Sequence, residues 1–166
     1  WIYLGTGSTG ETLIVGRFLI EWVFTLGMVW RLALNLWGPT GARIAWLTLS
    51  TSSLFLFSIG MEQETGLIGV ALLAVASLLI EYQKAPVTCT AIWLGLAAAF
   101  AALCRDYYLL LIPVALFGLF IAKAPQSHIK YAAYAAALAV APWYVRNAWL
   151  TGNPIFPHDF GGLLPT

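Results

Sequence analysis

Long, predominantly apolar stretches broken by short polar intervals set the character of this chain. Six of them, about 11–37, 42–59, 67–82, 88–103, 108–122 and 131–147, predict helices. The intervals carry turn chemistry: Gly38-Pro39-Thr40-Gly41, the acidic run Gly60 to Gly66, Gln83-Lys84-Ala85-Pro86, Cys104 to Tyr107, and the basic run Lys123 to Lys130. Ahead of the first stretch, Gly5, Gly7 and Gly10 mark a loop, and Ser8 with Glu11 fits a capping box that starts a helix near Thr9. Within the second stretch, the run Ser50 to Ser53 is polar only through hydroxyls, which can bond back to the helix or across to a neighbour. Pro113 falls inside the fifth helix, where neighbours are expected to satisfy the freed carbonyl. The small residues from Tyr131 to Ala137 allow close helix packing in the sixth.

Composition turns this helical reading into a membrane reading. The chain has 166 residues, of which 61% are hydrophobic and 9% charged. Soluble domains average about 25% charged residues. With a mean hydropathy of +0.84, too little polar surface remains to cover one soluble core. The expected class is therefore an all-α integral membrane protein, a polytopic transmembrane bundle of about six helices forming one domain, with 148–166 as an outer loop. Several stretches fall short of the roughly 20 residues of a perpendicular crossing, and flanking aromatics extend them. The net charge of +1 offers no case for nucleic acid. Cys89 and Cys104 lack metal spacing and are expected to be small buried hydrophobes. A chain opening on Trp1 and ending in a turn-rich segment reads as a piece of a longer one.

Charge sorts the connectors into two sets. Arg43, Lys84, Lys123 and Lys130 fall on one side, which the positive-inside bias makes cytoplasmic. His128, in the same basic connector, is expected to be solvated. The opposite side carries Glu11 and Arg17, Glu62 and Glu64, Arg105 and Asp106, and Arg146, His158 and Asp159. Short connectors hold these groups near the bundle end, and their convergence would suit an anionic group: arginine forks for phosphate, a carboxylate for a metal or a proton. Arg17 and Glu21 are four apart on one helix face and can pair. Trp143 and Tyr144 are expected as interface anchors, with stacking on a sugar ring as the sharper alternative.

Four features, taken in order, carry a resemblance. They are Arg17 early in a helix, in Glu11-Thr12-Leu13-Ile14-Val15-Gly16-Arg17; Glu64-Thr65-Gly66-Leu67 after the hydroxyl-rich helix; Gly95-Leu96-Ala97 followed at the helix end by Arg105-Asp106-Tyr107; and the segment Pro142-Trp143-Tyr144-Val145-Arg146-Asn147 with Thr151-Gly152-Asn153-Pro154-Ile155-Phe156-Pro157. Over nearly its whole length the chain resembles membrane glycosyltransferases that use a polyprenyl-phosphate sugar. This superfamily includes protein O-mannosyltransferases, lipid A aminoarabinose transferases and their bacterial family-39-like relatives, and it has the GT-C fold. The last segment is the most specific of the four. At the third feature the family usually has Lys-Tyr where this chain has Arg105-Asp106-Tyr107.

The resemblance implies a site at the outer face, periplasmic or extracellular, of a bacterial inner membrane. Glu64, with Glu62 beside it, would bind acceptor or metal; a divalent metal is an option that the residues do not establish. Arg105, Arg146 and Arg17 would contact the lipid phosphate, supported by Asp106, Tyr107, Asn147 and His158. The catalytic base would lie upstream of Trp1, so this piece alone is expected to be inactive. The implied partners are the polyprenyl-phosphate sugar, membrane lipid, and an acceptor glycan, lipid or protein. Two other classes stay open at this point: a transporter or flippase for a lipid-linked or anionic solute, and a non-catalytic membrane subunit. A transporter should show repeat halves or broken helices, and the chain has no internal repeat.

Overall fold

The computed structural model describes residues 11–60 and 65–155; side-chain descriptions further exclude residues 11–14, 57–60, 65 and 106. The described residues are helical, with no strand among them. In order they form α1 (Glu11–Ser50), α2 (Ser53–Gly60), α3 (Thr65–Lys84), α4 (Thr88–Cys104), a 3₁₀ turn (Asp106–Leu110), α5 (Leu111–Ile121) and α6 (Gln126–Thr151). The chain divides into two compact units, Trp1–Ile80 and Glu81–Thr166. Two stretches, Val15–Ser50 and Gly66–Lys84, are long and apolar enough to cross a membrane.

In the first unit the expected break at Gly38 is a kink inside α1. Gly38 sits at φ 72°, ψ −170°, a backbone shape that side-chain-bearing residues avoid, and Pro39 follows with φ preset for a new helical segment. The expected second helix, 42–59, is instead two pieces. The Thr51 hydroxyl donates to the Leu47 carbonyl at 2.8 Å, and the Ser50 hydroxyl donates to the same carbonyl at 3.0 Å. Such back-bonding competes with the helix ladder. The helix stops there, and the Ser52 hydroxyl accepts the Phe55 N–H at 3.3 Å to cap the start of α2.

The second unit is built on alanine. Ala91, Ala98, Ala99, Ala101, Ala102, Ala132 and Ala136 are buried, joined by Leu94 and Leu119. The bulky apolar side chains face outward: Trp149 is 87% exposed and Leu138 75%, with Phe117 and Phe120 also exposed. α4 packs most extensively on α6. At their crossing, a Cβ placed on Gly95 would meet the Ala132 backbone, with its carbonyl carbon at 2.9 Å and its Cα at 3.1 Å. The approach is therefore backbone to backbone, as small residues permit.

Helix ends in this unit differ from expectation for local reasons. Pro113 lies in the first turn of α5, where backbone N–H groups have no intrahelical partner, so its missing donor costs nothing. Lys123 adopts a left-handed φ of 55° and closes α5, with the Ala124 N–H donating to the Leu119 carbonyl at 3.0 Å. α6 starts directly after Pro125 and runs past Asn147 to Thr151, so residues 148–151 are helix where an outer loop was expected. It ends at Gly152, whose φ of 73° is the left-handed stop and whose N–H donates to the Ala148 carbonyl at 2.9 Å.

Candidate functional site

In the first unit the i,i+4 spacing of Arg17 and Glu21 becomes a real pair. Arg17 Nε donates to Glu21 Oε1 at 2.6 Å. Glu21 is 0% exposed. Burying a carboxylate is tolerated only with such a partner. Its second oxygen, Oε2, has no hydrogen-bond partner and lies over Gly66, where an added Cβ would meet the carboxylate carbon at 3.0 Å. The first turn of α3 thus rests on Glu21, and glycine is the residue that lets it. Glu62 and Glu64 lie outside the described residues, as do His158 and Asp159; the side chains of Glu11 and Asp106 do too.

In the second unit Arg105 follows the last turn of α4 in extended backbone, φ −153°, and its N–H donates to the Ala101 carbonyl at 3.1 Å. Its guanidinium carbon lies 5.9 Å from the centre of the exposed Tyr107 ring. Tyr107 packs on Tyr108, with ring centres 4.7 Å apart. One helix away, the guanidinium carbon of Arg146 lies 5.6 Å from the centre of the Trp143 ring. Both contacts are within cation–π range. Asn147 is buried, and its amide donates to the Pro154 carbonyl at 3.5 Å. Thr151 donates to the Asn147 carbonyl at 2.8 Å, and Asn153 Oδ1 accepts the Ile155 N–H at 2.9 Å. These bonds fold the chain after α6 back onto its last turn, so Asn147 anchors a turn.

His128 corrects the sequence reading. It is not simply solvated: Nδ1 lies 2.6 Å from the Tyr82 hydroxyl and Nε2 2.9 Å from Thr88 Oγ1. Tyr82, 1% exposed, meets the imidazole edge-on with centroids 5.8 Å apart. One ring nitrogen accepts and the other donates, and two hydroxyls can serve either tautomer. No local signal marks this, because the partners are 46 and 40 positions away. Cys89 is also corrected: it is exposed in the first turn of α4, ahead of the buried run that begins at Ala91, and Cys104 is half-buried.

Two contacts give α4 and α6 a direction. Thr88, the first residue of α4, meets His128, and Gly95 further on meets Ala132. Both chains advance the same way, so the helices run parallel. At about 1.5 Å rise per residue, Arg105 and Arg146 each lie roughly 26 Å beyond the His128 contact. The two arginines share one end of the pair; Lys84, Lys123 and Lys130 belong to the segments that bound the other. Among the described residues, no group of three or more His, Cys, Asp or Glu side chains could hold a metal ion. Compared with family models, curated proteins and solved structures, the chain matches none.

Proposed function

We propose that the chain is part of an integral membrane glycosyltransferase that takes a sugar from a polyprenyl phosphate and transfers it to an acceptor at the outer face of a bacterial inner membrane. The observation that carries the reading is the placement of Arg105 and Arg146, each beside an aromatic ring, at one end of two parallel helices, with the lysines toward the other end. The exposed bulky side chains and alanine interior support the membrane setting. Lipid tails solvate outward Leu, Phe and Trp, whereas close helix contact needs small residues. Lysines on the opposite side agree with a cytoplasmic face there.

In this reading the departing lipid phosphate gains negative charge as the glycosidic bond breaks. Guanidinium groups fit phosphate oxygens in a planar fork. Donors already in place at the developing charge lower the barrier without reorganisation. The rings beside Arg105 and Arg146 give each guanidinium a cation–π partner, and such aromatics suit a membrane interface. Glu64, with Glu62, is proposed to bind the acceptor. A carboxylate outside this stretch is proposed as the base, and no step is routed through a metal.

The test uses the full-length protein in proteoliposomes with a radiolabelled polyprenyl-phosphate sugar. Transfer to an acceptor is expected, and Arg105→Ala or Arg146→Ala should slow it by about a hundredfold or more while leaving insertion unchanged. Unaltered transfer in both variants would remove these arginines from the site. A second reading, a transporter or flippase, draws on the buried Glu21, since carboxylates inside membrane helices often serve ion or proton paths. Solute or lipid movement across vesicles without sugar transfer would favour it.

A further inference from the structure

We infer that His128 is a positioning residue: it clips one end of the α4–α6 pair and so sets where Arg105 and Arg146 stand at the other. The role of those arginines in transfer rests on the function proposed above; the mechanical part does not.

α4 and α6 make the most extensive helix contact of this unit, through a face built largely of alanine. α4 and α6 meet backbone to backbone at Gly95 and Ala132. Beyond it the contact continues through alanines, whose smooth surfaces lack the knobs that resist pivoting. A face of this kind leaves the crossing angle weakly defined, and a polar tie at one end narrows it. His128 supplies that tie, linking α6 to Thr88 on α4 at 2.9 Å and to Tyr82 at the end of α3 at 2.6 Å. The hydroxyl of Tyr82 is held rigidly, because that side chain is 1% exposed. The clip lies about 10 Å along α4 before the crossing and Arg105 about 15 Å after it. Arg105 stands farther from the crossing than the clip does, so the pair acts as a lever: a change of crossing angle moves the arginine end more than the clip end.

The experiment measures that lever directly. In full-length protein in nanodiscs, with Cys89 and Cys104 replaced by serine, spin labels at Leu103→Cys and Val145→Cys report the distance between the arginine-bearing ends. The unaltered clip should give a narrow distribution. His128→Ala should broaden or shift it. His128→Asn and His128→Gln, each able to replace one of the two bonds, should restore it in part. Thr88→Val and Tyr82→Phe, which each remove a single hydroxyl, should give intermediate broadening even if the alanine variant fails to fold. A distribution unchanged in Thr88→Val and Tyr82→Phe as well as in His128→Ala overturns the inference. Sugar transfer, read in parallel, should fall about ten- to a hundredfold with the broadening; broadening without that loss overturns the positioning role. Wild-type protein that transfers no sugar counts against the function alone, because the spin-label measurement needs no substrate.

Discussion

Three helical glycines undergo the same chemical change on substitution by alanine, yet their surroundings make the outcomes diverge. In a helix interior, Gly→Ala removes backbone entropy from the unfolded chain and favours folding by up to about 1 kcal/mol. At Gly27 and Gly69 a new Cβ meets nothing within 4 Å, so that gain should be realised. At Gly95 the Cβ would press on the Ala132 backbone, with the carbonyl carbon at 2.9 Å. A backbone cannot swing aside as a side-chain tip can, so the helices must part by on the order of half an ångström or more, and overpacking of this kind costs about 1–3 kcal/mol. Gly95→Ala should therefore be less stable than Gly69→Ala by roughly five- to a hundredfold in the folding equilibrium, and Gly95→Leu should be worse still. Thermal unfolding of the purified protein in nanodiscs, followed by the fluorescence of its eight tryptophans, reads the order directly. A Gly95→Ala midpoint at or above that of Gly69→Ala would refute the close backbone approach.

Arg17→Ala leaves the Glu21 carboxylate buried without its partner, and such a loss costs about 3–5 kcal/mol, less here because a third of the Arg17 side chain is exposed. The double variant with Glu21→Gln should recover much of it in the same unfolding assay. Gly152→Val places a branched side chain at φ 73° and should cost about 1 kcal/mol or more of stability, read as a lower midpoint, with Gly152→Asn milder. Cys89, exposed beside the lysine-bearing connector, should react with a membrane-impermeant maleimide in inside-out vesicles and not in right-side-out ones. The reverse pattern would invert the proposed orientation.

Local chemistry made much of the helix architecture legible. The Gly38-Pro39 break, the back-bonding of Ser50 and Thr51, and the Arg17–Glu21 pair depend on residues within four positions of one another. Helix ends were less legible. α6 overran Asn147 because its stop is the left-handed Gly152, and a proline at 142 did not end it. Of the candidate site, the named arginines can be followed in the described residues. Arg105 and Arg146 do share one end of their helix pair. Their aromatic supports lie two and three positions away, within reach of sequence reasoning: Tyr107 was expected in a supporting role, and Trp143 as an interface anchor.

The sequence by itself determined the class of element, the main breaks between elements and the i,i+4 ion pair, because each arises from backbone preference or from neighbours on one helical turn. Only the tertiary structure decided that Gly95 meets Ala132, that Asn147 anchors the turn after α6, and that His128 bridges Tyr82 and Thr88. The physical reason is the alanine interior. Helices coated with one small residue present nearly the same surface in many registers, so periodicity cannot choose a partner face. The choice falls to a few glycine contacts and polar bridges between residues far apart in the chain.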